Sequence, residues 1–302
     1  MRAAFLGVSL AMAIGSAMAG PPELTPGTLP ASWLTGGPNC VAEPDWQVHA
    51  YNEDFYILRE SGCIHFEKPF LYLIFGQNKA LLEDTGAGNV RTAPFVMELV
   101  ERWAKRKNRP PVPLIVIHSH GHGDHTAGDA QFQSLPGVEF VAATPAAIQK
   151  AAGIAAWPTD LGTIDLGGRV LDVIPIPGHH NASIALYDRL TGNLLTGDSL
   201  YPGRLYVAEG EIPTYAASAR RLADFVSTHP IAHVLGTHIE QQRTPYLDYP
   251  RGTAYQPDEH VLELTRAHVL ELNDAFQKMA ATPGPVMLPD FSIVPRGPAG
   301  PR

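Results

Sequence analysis

Residues 118–125 read His-Ser-His-Gly-His-Gly-Asp-His, four imidazoles and one carboxylate in eight positions. So many ring nitrogens in so short a segment cannot satisfy one another inside an apolar core, where a polar atom without a partner is costly. Imidazole nitrogen and carboxylate oxygen are, by contrast, good ligands for a borderline-soft dication such as zinc. Metal binding is therefore the chemistry to which the cluster points. Further polar groups recur downstream, in Pro177-Gly178-His179-His180, Gly197-Asp198 and Gly236-Thr237-His238.

Each of these groups sits where a strand is expected to end. Leu114-Ile115-Val116-Ile117 is wholly apolar, as in a strand buried on both faces, and runs directly into the His cluster. Strand signals also cover Phe55–Leu58, Phe70–Phe75, Lys79–Glu83, Val138–Ala142, Val170–Ile176, Ser183–Tyr187, Leu194–Leu195 and Ala232–Leu235. Thr92 is expected to cap a helix running through Lys107, with Pro94 in its first turn and Val96, Leu99, Val100 and Trp103 as its apolar stripe. Other helices are expected at Pro145–Ala152, Tyr215–Thr228 and Asp258–Ala281. The last is the longest, with Val261, Leu264, His268, Leu272, Phe276 and Met279 on one face. Irregular interleaving with hairpin-like strand pairs favours a sheet sandwich covered by helices over a doubly wound sheet. Ligands delivered by the ends of rigid elements are what a preorganised metal site requires. Gly121 and Gly123, with no side chains, are expected to let the loop wrap tightly.

Composition narrows the partners. The 302 residues are 45% hydrophobic, enough to bury a core, and carry a net charge of −8. A nucleic-acid surface would need clustered Lys and Arg. The one basic run, Arg102 to Arg109, reads as the solvated back of a helix. Residues 1–19 have the form of a signal peptide: Arg2, an apolar stretch from Ala3 to Ile14, and Ala17-Met18-Ala19 before Gly20. The stretch is shorter than the roughly 18–20 residues of a membrane span. The expectation is therefore a periplasmic or secreted chain without stable membrane insertion, acting on a small-molecule substrate. Loss of Arg2 leaves 21 basic against 30 acidic residues, a mature charge of −9. An oxidising compartment makes Cys40 and Cys63, the only two cysteines, a disulfide pair. Residues 20–45 read as a surface arm, 46–282 as the main domain, and 283–302 as a Pro-rich tail, extended or loose. His49, His65, His229, His233, His260 and His268 read as core or surface histidines.

The order of these groups resembles the metallo-β-lactamase superfamily, whose motif is His-x-His-x-Asp-His followed by a distant His, a distant Asp and a last His. Starting at His118 would put His122 where the Asp must stand, so the motif is His120-Gly-His122-Gly-Asp124-His125. The segment around His179 resembles the family's Pro-Gly-His turn. Thr196-Gly197-Asp198 resembles its bridging-Asp segment, Gly236-Thr237-His238 its last His, and Glu83-Asp84-Thr85-Gly86 its early Asp-Thr-Gly turn. The resemblance spans roughly residues 65–240. It implies an α+β fold, an αββα sandwich of two mixed β-sheets flanked by helices. It also implies two zinc ions, although iron or manganese suits the same ligands. His120, His122 and His179 would hold one ion and Asp124, His125 and His238 the other, with Asp198 between them. Asp84 would support the metal loop without binding metal. His118 is expected to end its strand, and His180, where the family often has Thr, to lie beside the ligands or in solvent.

The resemblance also separates chemistries. Typical β-lactamases of the superfamily have Cys or Ser where this chain has Asp198. Asp with a full seven-ligand set looks more like the glyoxalase-II-like, lactonase and phosphodiesterase branches. The implied activity is hydrolysis of an ester, thioester or lactone by a metal-bridging hydroxide, with Asp124 orienting it and carrying the proton. Glutathione thioesters are less favoured, because the family's glyoxalase-II pattern has a longer helical C-terminal domain with basic contacts, whereas the long helix here offers only Arg266 and Lys278. The alternatives are a β-lactamase, a mononuclear iron oxygenase-type member, and a non-catalytic metal-binding scaffold. Tyr201, Arg204 and Tyr206 are candidate substrate contacts, and the segment Tyr246 to Tyr255 a candidate wall or lid.

Overall fold

Strand residues alternate between faces, and here both faces are apolar, so each sheet must be covered twice. The computed structural model describes Met1 and residues 23–37 and 43–297. A first six-stranded sheet contains β1 (Trp46–Asn52), β2 (Phe55–Glu60), β3 (Phe70–Phe75), β4 (Ala80–Glu83), β5 (Leu114–Ile117) and β6 (Val138–Phe140) in sequence order. It is antiparallel from β1 to β4 and parallel from β4 to β6. The second sheet contains β7 (Gly162–Asp165), β8 (Val170–Pro175), β9 (Ile184–Asp188), β10 (Asn193–Gly197), β12 (His233–Gly236) and β13 (Glu263–Leu264), again mixed. A small third sheet joins β11 (Arg204–Ala208) to β15 (Ser292–Arg296) and β14 (Val286–Met287).

The layers follow from strand alternation. Phe70, Tyr72 and Ile74 of β3 meet Leu171, Val173, Ile184, Leu186, Leu195 and Leu235 of the second sheet in a core between the sheets. Leu71, Leu73 and Phe75 of the same strand point the other way, against Val96, Val100 and Trp103 of α1 (Thr92–Arg106). On the far side, Ile174, Ala185, Leu194 and Val234 are covered by α5 (Ile212–Thr228) and α6 (Arg266–Ala281). The expected αββα sandwich of two mixed sheets is the fold. Short helices α2 (Gly123–Thr126), α3 (Asp129–Phe132) and α4 (Pro145–Ala152) fill the connections.

Two local expectations are corrected. The last long helix begins at Arg266, not at Asp258. The Thr265 hydroxyl and the His268 ring form a capping box that satisfies the first turn, which fixes the start there. The residues before it are extended: Leu262 and Leu264 are both fully buried, β13 pairs with β12, and Glu259 is drawn into a buried ion pair with Arg59 and Lys68. Thr92 does not cap α1. Arg91 holds the cap position, and the Thr92 hydroxyl donates instead to the Thr85 carbonyl at 2.9 Å, tying α1 to the turn after β4. Of the two forms expected for the Pro-rich tail, the described part takes the extended one, because β14 and β15 add it to β11 as a sheet. The signal-peptide segment and Cys40, and with Cys40 the expected disulfide to Cys63, lie outside the described residues. Among the described residues no helix is long and apolar enough to cross a membrane.

Candidate metal centre

β4 and β5 end side by side, and the site is built on their ends. Asp84 follows β4 with φ +68° and is fully buried. Its carboxylate accepts from the Ser119 backbone N–H at 2.8 Å, the Ser119 hydroxyl at 2.7 Å and His125 Nδ1 at 2.8 Å. One carboxylate thus fixes the start of the His loop and one imidazole within it. Gly121 is crowded, since a Cβ there would lie 2.7 Å from His180 Cε1 and the His180 ring would have to shift. Gly123 is not, because the space around it is open, so only one of the two loop glycines answers to crowding. After His122 the chain turns into α2, which carries Asp124 and His125.

Two donor sets converge. His120, His122, His179 and Asp198 form one, and Asp124, His125, His238 and Asp198 the other, with all ligand atoms in each set within 4.8 Å of one another. His122 Nδ1 lies 3.0 Å from both His120 Nε2 and His179 Nε2. His125 Nε2 and His238 Nε2 are 3.2 Å apart, and Asp124 Oδ2 is 3.2 and 3.3 Å from them. A tetrahedral ion with metal–nitrogen bonds of about 2.0–2.1 Å holds its ligand atoms about 3.3 Å apart. Asp198 belongs to both sets through different oxygens. Its Oδ2 faces His120 and His179 at 3.8 and 3.4 Å, and its Oδ1 faces His125 and His238 at 3.4 and 3.2 Å. The donor chemistry and spacing fit one dication in each set.

Three of the outward ring nitrogens are held by acceptors. His125 Nδ1 bonds Asp84, His238 Nδ1 the Glu67 carbonyl at 2.9 Å, and His179 Nδ1 the Tyr206 carbonyl at 2.9 Å. A carbonyl or carboxylate only accepts, so these Nδ1 atoms carry protons and each Nε2 faces inward, available to a metal once it is deprotonated. Burial, with the His125 cation beside it, holds His120 well below the usual imidazole range; burial also lowers His179. Burial opposes charge on His125 and His238, yet Asp124, Asp84 and Asp198 raise His125, and Asp198 and Asp124 raise His238, well above that range. Burial opposes ionisation of Asp198 and Asp124 too, and the facing imidazoles overcome it. A field that draws protons onto neighbouring imidazoles is the field that stabilises a dication.

The other candidates fall into place around these sets. His118 belongs to neither: it is buried, with Nε2 2.8 Å from Asp129 Oδ1 and Nδ1 3.1 Å from the Val141 carbonyl. His180 belongs to neither, its ring 5.2 Å from that of His122 and its Nδ1 accepting from the Ala182 N–H. An open cleft lies over the site, lined in part by His122, Asp124, His179, Asp198 and His238. Tyr201, Arg204, Tyr206 and residues Pro250 to Thr253 also line it. Arg204, however, is already engaged by Glu240 at 3.1 Å, Asp248 at 3.4 Å and the Tyr249 carbonyl at 2.8 Å. Sequence reasoning missed Ser119, Thr237, Glu67 and Arg296. Thr237 donates to Asp198 Oδ1 at 2.5 Å, and Glu67 and Arg296 line the cleft. Ser119 and Thr237 each precede a ligand His, which is a readable signal; the carbonyl of Glu67 and the position of Arg296 leave none.

Comparison with known proteins agrees with this geometry. The family model described as the metallo-β-lactamase superfamily matches residues 68–266. The acyl-coenzyme A thioesterase MBLAC2 of Bos taurus is 26% identical over 229 residues, covering 65% of this chain and 82% of the relative. A hydroxyacylglutathione hydrolase of Erythrobacter litoralis is 31% identical over 110 residues, covering 35% of this chain and 42% of the relative. The metallo-β-lactamase structure from Pontibacter korlensis superposes with a TM-score of 0.50 at 17% identity, covering 77% of this chain and 99% of that one, a likeness of fold. With the family model spanning most of the sandwich and both donor sets, the chain belongs to the metallo-β-lactamase superfamily, as one of its metallohydrolases.

Proposed function

We propose that the chain is an exported dinuclear zinc hydrolase of acyl thioesters and esters, with lactones as related substrates. The observation that carries the reading is Asp198, which turns one carboxylate oxygen to each donor set. His120, His122 and His179 would hold one ion, Asp124, His125 and His238 the other, and Asp198 both. Two dications held there supply Lewis acidity toward an acyl oxygen and lower the pKa of water into the neutral range. The protein residues set the geometry. Asp84, Glu67 and Tyr206 fix the imidazole tautomers through the contacts described above. Asp124 faces the cleft and is the carboxylate placed to hold a proton between water and the leaving group. The related thioesterase and hydroxyacylglutathione hydrolase support a thioester as the first substrate class to test. Export rests on the signal-like N-terminal segment, and the Cys40–Cys63 disulfide goes with it.

Metal content together with a substrate panel tests this. The panel comprises an acyl-coenzyme A, an S-acylglutathione, a p-nitrophenyl ester, a lactone and the β-lactam nitrocefin. Two zinc equivalents and chelator-sensitive thioester or ester hydrolysis, lost in Asp198→Ala, is the expected outcome. Two zinc equivalents with no turnover of thioester, ester or lactone would refute it. So would a single iron with oxygen consumption, or turnover of nitrocefin alone.

A further inference from the structure

The family match stops at residue 266, yet the C-terminal tail returns to the cleft. β15 lies parallel to β11, with Val294 opposite Tyr206 and Arg296 opposite Ala208. The Arg296 guanidinium stacks on the Tyr206 ring, 3.4 Å from its centroid. Stacking holds the planar group while leaving its N–H edge free to bond. Among the described residues, no carboxylate pairs with Arg296 and no hydrogen bond occupies its donors. Arg251, exposed on the Pro250–Thr253 segment that lines the same cleft, is likewise unpaired among the described residues. Arg204 is different, because Glu240 and Asp248 neutralise it.

The acidic groups of the cleft are committed elsewhere. Asp124 and Asp198 belong to the donor sets, and Glu240 is held by Arg204 and Tyr201. Glu67 lines the same cleft, with its carbonyl on His238 and its carboxyl interacting with Asp124. In a chain of net charge −8, two arginines without acid partners at the mouth of one cleft are a selective feature. We propose that Arg296, assisted by Arg251, forms an oxyanion-binding subsite, so that the preferred substrate carries a carboxylate or phosphate group away from the acyl carbon. This deepens the hydrolase reading and rests on it. Arg296 is here a specificity-determining residue.

The test compares matched substrates on the metal-loaded full chain. p-Nitrophenyl hemiglutarate is set against p-nitrophenyl valerate, and butyryl-coenzyme A against S-butyryl-N-acetylcysteamine. Wild type should prefer the anionic member of at least one pair. Arg296→Gln should lower that preference, the ratio of the two kcat/KM values, about ten-fold, the worth of one partly exposed charge-assisted contact. The pair that responds identifies the anion as acyl carboxylate or leaving-group phosphate. If the variant lowers both members equally, Arg296 only supports the strand and the proposal fails; an unchanged ratio, or no anionic preference in wild type, also overturns it. Calorimetric binding of glutarate and of coenzyme A needs no turnover, and Arg296→Gln should weaken whichever of them binds by the same factor. Absence of turnover in all four substrates and in the lactone of the earlier panel would refute the hydrolase reading, whereas equal glutarate and coenzyme A binding by wild type and variant would refute the subsite.

Discussion

Asp84→Asn separates support of the metal loop from ligation. The carboxylate is fully buried and accepts three hydrogen bonds, from Ser119 N–H on Oδ1 and from the Ser119 hydroxyl and His125 Nδ1 on Oδ2. An amide of the same shape has one accepting oxygen and one donating NH2. With its oxygen toward His125, the NH2 faces the Ser119 N–H, and a buried donor is left unpaired at about 1–3 kcal/mol. Turned the other way, the NH2 faces His125 Nδ1, and the ring must move its proton to Nε2, the atom aimed at the metal. Either arrangement should weaken zinc binding by about 10–100-fold, or roughly 1.4–2.7 kcal/mol, as expected for groups that orient metal-bound imidazoles. The loss should fall first on the ion held by Asp124, His125 and His238. Zinc competition against a chromogenic chelator should show the second equivalent weakened, and melting of the metal-free protein should show the smaller structural cost. Two equivalents bound with wild-type affinity would refute the argument that Asp84 sets the His125 tautomer.

Three further outcomes are expected. Burial pushes the Glu60 carboxyl up from 4.5 to about 8; one oxygen accepts from the Ala87 N–H, and the other has no partner. The folded state therefore keeps a proton that the unfolded chain has released, so the stability is fully present below about pH 4.5 and declines as pH rises toward 8. Glu60→Gln should remove this decline, gaining up to about 3 kcal/mol over wild type at pH 7; parallel denaturant-unfolding curves for the two proteins at pH 5 and pH 8 would contradict it. Glu259→Gln should destabilise by about 3–5 kcal/mol in urea, since Arg59 at 2.6 Å and Lys68 at 2.9 Å would lose their buried counter-charge; an unchanged midpoint would sink this. Under denaturing, non-reducing conditions the exported chain should show no reactive thiol, and Cys63→Ser should expose one from Cys40; two thiols in wild type would remove the disulfide.

The ligand set was legible because residue type, order and place all carry it. Imidazoles and carboxylates gathered where apolar strands stop suit a metal site and little else, and Leu114–Ile117 and Phe70–Phe75 occur as strands at the expected bounds. The start of α6 was misplaced because Val261 and Leu264 fit a helical stripe, whereas the segment is held extended by Glu259 reaching Arg59, 200 residues away in sequence. β11 went unseen although Leu205 and Val207 alternate with Arg204 and Tyr206 in burial, since its only partner among the described residues is β15, a strand in a tail whose prolines argue against pairing. Local pattern shows that a segment can pair but not with what.

The supports of the site show a deeper limit. Two of the groups that fix imidazole tautomers are backbone carbonyls, at Glu67 and Tyr206, and any residue supplies a carbonyl. Their placement is a property of the fold. The Thr237 carbonyl accepts from Phe70 N–H, and Gly236 accepts from the Tyr72 hydroxyl at 2.5 Å, so the two sheets are pinned together at the end where the ligands gather. Tyr206 lies on β11, whose pairing with β15 makes the tail a brace for His179. The tail thus bears on the centre twice, through the Tyr206 carbonyl that orients a ligand and through Arg296 above the cleft. A truncation there would disturb metal binding and substrate choice together, whereas Arg296→Gln alters only the side chain and leaves every β11–β15 backbone group in place. That difference makes the point substitution, rather than deletion, the informative perturbation of this edge of the site.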